Sequence, residues 1–264
     1  MRRLFAALGL RDLVICYGQT ETAPVSCMTT PADPLAKRTS SVGRAMPHTR
    51  VKVVDPTDRG RLVPRGERGE LAASGYLVMQ GYWGDEARTR EVRVWEPDTP
   101  PTEESPGDAG PGRVWMYSGD EAVMDDDGYV SITGRIKDLI IRGGENIHPL
   151  EVENCLFQHP LVSEASVVGV PDAALGECVG VFVIVQDGVR VVDDGAEEGE
   201  GRVLSKAAVR DWVRQRLSAH LVPRYVFWAD EYPKTASGKI QKFKLRETAR
   251  EAVFGPEGGG AGRE

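Results

Sequence analysis

Gly134-Arg135-Ile136-Lys137-Asp138-Leu139-Ile140-Ile141-Arg142-Gly143-Gly144-Glu145-Asn146-Ile147-His148-Pro149 separates two stretches of chain with different patterns. Before it, short apolar runs at residues 12–17, 50–55, 70–74, 114–118 and 128–133 are broken by Gly, Pro and Asp, which predicts strands joined by tight turns. Asp125-Asp126-Asp127-Gly128 between the last two is a hairpin turn signal. After it, Pro149 followed by Leu150, Val152, Cys155 and Leu156 predicts a helix with Pro in its first turn. Residues 162–170 and 179–185 read as strands. Ser205 then precedes Ala208, Val209, Trp212, Val213 and Leu217, an apolar stripe at helical spacing, with Pro223 beyond its end. The front is therefore β-rich and the rear a small α+β unit, with the boundary near Lys137.

The 264 residues carry 33 Lys+Arg against 40 Asp+Glu, a net charge of −7, and 41% are hydrophobic. That composition supports a real core and excludes collagen-like, coiled-coil and wholly disordered classes. An acidic balance argues against binding driven by a nucleic-acid backbone, and nothing approaches the roughly 18 consecutive apolar residues of a membrane span. Cys16, Cys27, Cys155 and Cys178 are scattered, without metal-ligand spacing, as in a reducing compartment. Residues 1–10 read as a helix end feeding a strand rather than as a targeting peptide. Residues 96–112 and 187–201, rich in Gly and acids, read as surface loops without chemistry.

Four segments combine residue types suited to polyphosphate chemistry. Tyr17-Gly18-Gln19-Thr20-Glu21 brings a flat aromatic, a glycine that admits close backbone approach, a hydroxyl and a carboxylate directly after a strand. Such a set can stack a base, touch a phosphate and hold Mg2+ through water. In Tyr117-Ser118-Gly119-Asp120 a carboxylate at a strand end is suited to accepting from two ribose hydroxyls. The boundary stretch crowds charge beside a double glycine and a helix-starting proline. Pro233-Lys234-Thr235-Ala236-Ser237-Gly238-Lys239-Ile240 sets a lysine in a loop of small residues, able to deliver one ammonium to a phosphate. Each alone also reads as an ordinary turn or cap; their joint occurrence in this order carries the weight.

With these four segments in place the chain resembles the adenylate-forming superfamily of acyl-CoA synthetases, luciferases and peptide-synthetase adenylation domains. YGQTET, YSGD, GRIKDLIIRGGENIHPLEVE and PKTASGKI match the family's motifs in its order, over almost the whole chain. The resemblance implies an α/β and α+β fold. Residues 1–135 would be the β-rich C-terminal portion of the large AMP-binding domain, incomplete. Residues 136–252 would be the small α+β C-terminal lid, and residues 253–264 a disordered tail.

The resemblance further implies a two-step reaction, in which a carboxylate attacks the α-phosphate of ATP and a thiol, usually of coenzyme A, then displaces AMP. Tyr17 would pack on adenine, with Gly18 and Gln19 beside it; Thr20 would touch phosphate and Glu21 would hold Mg2+. Asp120 and Arg135 would grip the ribose. Lys239 would act in adenylation, Lys137 would be the hinge, and Gly143 and Gly144 would line the CoA tunnel. Ser118 stands where the family often has Thr, keeping the hydroxyl. The family's upstream Ser/Thr/Gly-rich phosphate loop has no counterpart here, so a first half, with much of the acyl pocket, is expected to be missing. Residues 12–17, read as an interior strand of a parallel sheet, would then present an apolar edge. The rear unit would fold by itself. The expected function is a cytoplasmic ATP-dependent acyl-CoA synthetase acting on a fatty or medium-chain acid, with no nucleic-acid partner. The alternative is an inactive remnant or a split subunit completed by an N-terminal half.

Overall fold

Thr49-Arg50-Val51-Lys52-Val53-Val54 alternates charged and apolar residues, and a pleated strand sends such alternation to opposite faces. In the computed structural model it is a strand whose Val53 joins a buried cluster with Leu71, Ala122, Met124 and Val130. The structure describes residues 9–10, 12–98, 111–194, 201–236 and 238–255. Most of the N-terminal stretch 1–10, and the inner parts of the expected loops 96–112 and 187–201, lie outside the described residues. The chain divides into two compact units, Met1–Lys137 and Asp138–Glu264.

Among the described residues the first unit has two sheets. β1 (Cys16–Tyr17), β2 (Cys27–Met28) and β3 (Arg44–Ala45) form a small antiparallel sheet. β4 (Thr49–Val54), β5 (Arg68–Gly75), β6 (Arg93–Pro97), β7 (Gly112–Met124) and β8 (Val130–Arg135) form a larger antiparallel one, in which β7 pairs with β5, β6 and β8. Two short helices accompany them, α1 (Leu35–Ser40) and α2 (Glu86–Val92), the second capped by Asp85, which accepts from the Arg88 N–H.

Three expectations are corrected. The run 12–17 is not an interior parallel strand: only Cys16 and Tyr17 are in a strand, and it is antiparallel to β2. The chain turns back after Tyr17 and pairs locally, so the apolar run never reaches strand length. Asp120 does not sit at a strand end, because β7 continues to Met124. Residues 190–192, expected within a loop, form β13 (Arg190–Val192), parallel to β14 (Val203–Ser205).

In the second unit, β9 (Ile140–Arg142), β10 (Glu145–Ile147), β11 (Val162–Asp172) and β12 (Gly176–Val185) pair antiparallel, and β15 (Tyr225–Trp228) adds parallel to β12. The helices are α3 (Pro149–Leu156), α4 (Lys206–Arg214) and α5 (Lys242–Phe254). Period-2 alternation divides the sheet between two cores. Val167, Val179, Val181 and Val183 pack with Leu156 of α3 and Val209 and Val213 of α4. Val168, Val170, Cys178 and Phe182 pack with Leu245 and Ala249 of α5. A sheet covered on both faces needs apolar residues at consecutive positions, which accounts for the unbroken run 178–185. Ser205 caps α4 by accepting from the Ala208 N–H. The last helix includes Val253 and Phe254, beyond the point where the tail was expected to start, and residues 256–264 lie outside the described residues. No described helix is long and apolar enough to cross a membrane.

Candidate active site

A bulge builds the core of the site. Along the β5–β7 ladder Glu70 faces Glu121 and Ala72 faces Tyr117, so β7 carries surplus residues at 118–120. Gly119 has φ +69°, the left-handed conformation that glycine adopts without steric cost. Ser118 Oγ donates to Leu71 O (2.7 Å) and accepts from the Asp120 N–H (3.1 Å). Glu70, buried on β5, accepts from the Gly119 N–H (3.0 Å) and pairs with Arg59 Nε (3.0 Å). A bulge re-aims the side chain that follows it, and here that side chain is Asp120.

Asp120 is 4% exposed, so its charge depends on donors supplied by the protein. Tyr17 Oη donates to its Oδ2 at 2.5 Å and Gln19 Nε2 donates to the same atom at 3.0 Å. Arg135 lies directly across the β7–β8 ladder, with Nε 2.8 Å from Oδ1. Gln19 Nε2 also reaches Ser118 O at 2.9 Å, joining the two motif segments. Burial, then the Asp120 charge, raises the pKa of Tyr17, so it remains a protonated donor. Gly18 admits this fold-back: a Cβ there would lie 1.7 Å from Pro24 O. A small cavity of about 10 Å3 between Tyr17, Gln19, Ser26, Leu71, Met116 and Ser118 has room for at most one water molecule.

Thr20 is exposed at the start of a 3-10 turn, Thr20–Thr22, and makes no side-chain bond to this cluster among the described residues. Glu21 is half-buried, its Oε1 accepting from the Tyr82 hydroxyl at 2.7 Å, while Met79 N–H holds its backbone carbonyl at 2.9 Å. Among the described residues no three His, Cys, Asp or Glu side chains gather as for an all-protein metal site. One carboxylate fits Mg2+ that arrives on phosphates and keeps its waters.

In the second unit, Gly143 (φ +60°) and Gly144 (φ +86°) form the two-residue turn between β9 and β10. Two successive positive φ values are what such a hairpin requires. A Cβ on Gly144 would meet nothing within 4 Å, so the glycine requirement is conformational. Lys239 lies on an exposed loop closed by pairing of Lys234 with Ile240. Its backbone is fixed, with Thr235 N–H donating to Lys239 O (2.8 Å) and Lys239 N–H to Thr235 Oγ1 (3.1 Å). Three residues on, Lys242 opens α5 and donates to the buried Glu153 Oε1 (2.7 Å), anchoring the end of the loop. Lys137 is in the 3-10 turn Ile136–Asp138, where the two units meet in sequence, its ammonium 3.5 Å from Glu91.

The structure thus brings together Tyr17, Gln19, Asp120 and Arg135, and it gives Gln19 a larger part than the sequence suggested. Sequence reading missed Glu70, Tyr82, Glu153 and Lys242. Glu70 had a visible signal, a carboxylate directly before the apolar run Leu71–Ala73, whereas no local pattern links Tyr82 to Glu21 across 61 positions.

Residues 1–83 match the AMP-binding enzyme family and residues 151–239 the AMP-binding enzyme C-terminal domain. The chain is 42% identical over 247 residues to the putative acyl-CoA synthetase YngI of Bacillus subtilis, covering 94% of this chain and 39% of that protein. It is 39% identical to the mitochondrial medium-chain acyl-CoA ligase ACSF2 of Danio rerio, covering 94% and 36%. Among solved structures, ATP-bound MatB from Rhodopseudomonas palustris superposes with a TM-score of 0.74 at 29% identity, covering 95% of this chain and 43% of that one. The anthranilate CoA ligase AuaEII in complex with anthranoyl-AMP gives 0.74 at 29%, covering 96% and 42%. The chain spans about two fifths of the length of the curated relatives it matches. By its two domain matches, its ordered motifs and its fold, it belongs to the adenylate-forming, AMP-binding enzyme family.

Proposed function

We propose that these residues serve an ATP-dependent acyl-CoA ligase. A fatty or medium-chain carboxylate attacks the α-phosphorus, expelling pyrophosphate, and the thiolate of coenzyme A then attacks the acyl carbonyl, expelling AMP. The observation that carries the reading is the buried Asp120 carboxylate, aimed by a glycine bulge and ringed by Tyr17, Gln19 and Arg135. A carboxylate has about four acceptor positions, and three of Asp120's are occupied by these side chains. One ribose hydroxyl can donate directly; a second must replace the Tyr17 hydroxyl, which frees that ring to turn toward adenine. Ribose binding is thus an exchange of one hydroxyl for another, with little net desolvation.

Arg135 holds the carboxylate in place during that exchange. Thr20 Oγ1 donates to phosphate, and Glu21, steadied by Tyr82, is the protein ligand for the Mg2+ that ATP carries, an ion that supplies charge neutralisation when bound. Lys239 brings its ammonium to the acyl carboxylate and the α-phosphate, neutralising charge as it develops. Lys137 is the point about which the second unit turns between the two half-reactions, and the β9–β10 turn at Gly143–Gly144 lines the pantetheine path. Because the chain covers two fifths of its relatives, the activity is that of a longer protein, or of a complex with a complementing N-terminal half.

Two measurements on the purified chain and on its co-expression with an N-terminal half from a relative test this reading. Calorimetry is expected to show AMP binding that Asp120→Ala removes. The complemented preparation is expected to release pyrophosphate from ATP with medium-chain acids. AMP binding without turnover in any pairing would favour a binding-only remnant, and no AMP binding at all would overturn the reading.

A further inference from the structure

A second concave site in the first unit has no part in the chemistry above. It is an open cleft of about 600 Å3, within the range of small-molecule sites. Arg44, Arg50, Lys52 and Arg65 line it, with Trp115 and Leu62, and no Asp or Glu is among its lining residues. Of the four, Lys52 pairs with Glu96 from outside the lining, while Arg44, Arg50 and Arg65 form no salt bridge among the described residues, an excess of positive charge in a chain with 40 acidic and 33 basic residues. Arg50 and Lys52 are two apart on β4, which places them on one side of the strand about 7 Å apart. Arg44 comes from β3 and Arg65 from the loop before β5, so three separate segments converge on the cleft.

The cations are positioned unequally. Lys52 Nζ is 4.4 Å from the Trp115 ring centre and 2.5 Å from Glu96, so it is held in place. The Arg44 guanidinium sits over the Tyr129 ring at 4.3 Å. Arg50 and Arg65 are exposed and, among the described residues, pair with no carboxylate. Two oriented cations beside two uncommitted ones suit a ligand carrying several negative charges in a row. Trp115 and the exposed Leu62 add an apolar wall for an attached ring.

We propose that this cleft binds the phosphate chain of a small molecule bearing two or three linked phosphates. Guanidinium groups match phosphate oxygens in pairs and the lysine adds a point charge. The inference does not rest on the ligase reading, because it uses none of the residues of the Asp120 cluster.

Calorimetry with inorganic tripolyphosphate at about 0.15 M salt, where contacts between dispersed surface charges are screened, is the test. Saturable binding to one site is expected, weakened about tenfold or more by the double substitution Arg50→Ala and Arg65→Ala. Both residues are exposed, so the variant is expected to fold, and its unchanged AMP binding would confirm that. Asp120→Ala should leave tripolyphosphate binding intact. Binding that disappears at this salt, that survives the double substitution, or that falls with Asp120→Ala would overturn the proposal. In the Asp120→Ala background, GTP distinguishes the source of the phosphates. Tighter binding than tripolyphosphate, with tryptophan quenching that Trp115→Phe abolishes, supports a nucleotide whose base rests on Trp115. Equal affinity without quenching supports recognition of the phosphate chain alone.

Discussion

The Asp120 cluster and the Lys239 loop solve opposite electrostatic problems. Asp120 is 4% exposed and is met by a phenol, an amide and a guanidinium, all on strands or tight turns. Lys239 is exposed, and among the described residues only its backbone is tied down. Burying a carboxylate costs several kcal/mol, so it must be surrounded by preformed donors, each charge-assisted bond returning about 1.5–3 kcal/mol. A group that binds in the ground state can bear that cost because it is always in use. A lysine needed only while charge develops gains from staying solvated on a short, anchored loop. On the proposed reading, the ribose-binding group is built into a ladder bulge and the cation for adenylation stays at the surface.

The sharpest way to break that contrast is Lys239→Ala. In a complemented preparation that adenylates, pyrophosphate release is expected to fall about 10²–10³-fold, the range for losing one preorganised stabilising group. AMP affinity should change by less than about threefold, and thioester formation from a supplied acyl-adenylate should survive. Parallel loss of AMP binding in titrations would mean that Lys239 acts in the ground state and that the two regions do not divide the work. Next in size is Asp120→Asn, which keeps the shape and removes the charge. AMP binding measured by calorimetry is expected to weaken about 10- to 100-fold, in line with losing charged hydrogen bonds, while the urea midpoint of the second unit stays where it was.

Much of this contrast was legible in the sequence, and the part that was not has a physical cause. The strands around residues 50–55 and 162–170 follow from period-2 alternation, and α4 follows from Ser205 with its apolar stripe. In Ser-Gly-Asp the carboxylate and the glycine turn were visible but their geometry was not, because a glycine at positive φ ends a strand in one context and bulges it in another. The partner strand decides, and β5 lies some 50 residues away, as the Glu70–Gly119 bond shows. Residues 12–17 failed for the converse reason: the five apolar positions 13–17 announce burial, but not the local return to Cys27 that replaces a long strand. Gln19 was expected beside the nucleotide with Tyr17 and Gly18, without a partner of its own. Only the fold places its amide between Ser118 and Asp120.

Tyr17→Phe sharpens the same comparison from within the binding cluster, with the opposite sign. If the Tyr17 hydroxyl must leave Asp120 before a second ribose hydroxyl can enter, deleting it removes a competitor while keeping the aromatic face. AMP is expected to bind about two- to fivefold more tightly, corresponding to roughly 0.5–1 kcal/mol for one hydrogen bond not broken. Tyr17→Ala should bind AMP more weakly, since the ring is lost as well. A Phe variant weaker than the native chain in the same titration would show the phenol contacting nucleotide directly, and the exchange would be refuted.

The smallest effect separates the two units by stability. His159 is half-buried; its Nδ1 accepts from the Leu161 N–H at 3.1 Å, and its ring meets Trp212 at 4.5 Å between centres. Burial, reinforced by the Arg216 charge, lowers its pKa below the ordinary value of 6.5. The unfolded chain therefore takes up a proton at a pH where the folded unit does not. Stability contributed by neutral His159 is complete above about pH 6.5 and is lost as pH falls toward the folded-state value, with a slope of at most about 1.4 kcal/mol per pH unit for one proton. Urea denaturation followed by tryptophan fluorescence should show the second unit's midpoint falling between about pH 7 and pH 5. His159→Phe preserves the edge contact with Trp212 and removes the proton site, so it should lower the midpoint at neutral pH and flatten its pH dependence over that window. An undiminished slope in the variant would assign the acid sensitivity to the carboxylates, and His159 would then differ in no energetic sense from the residues around it.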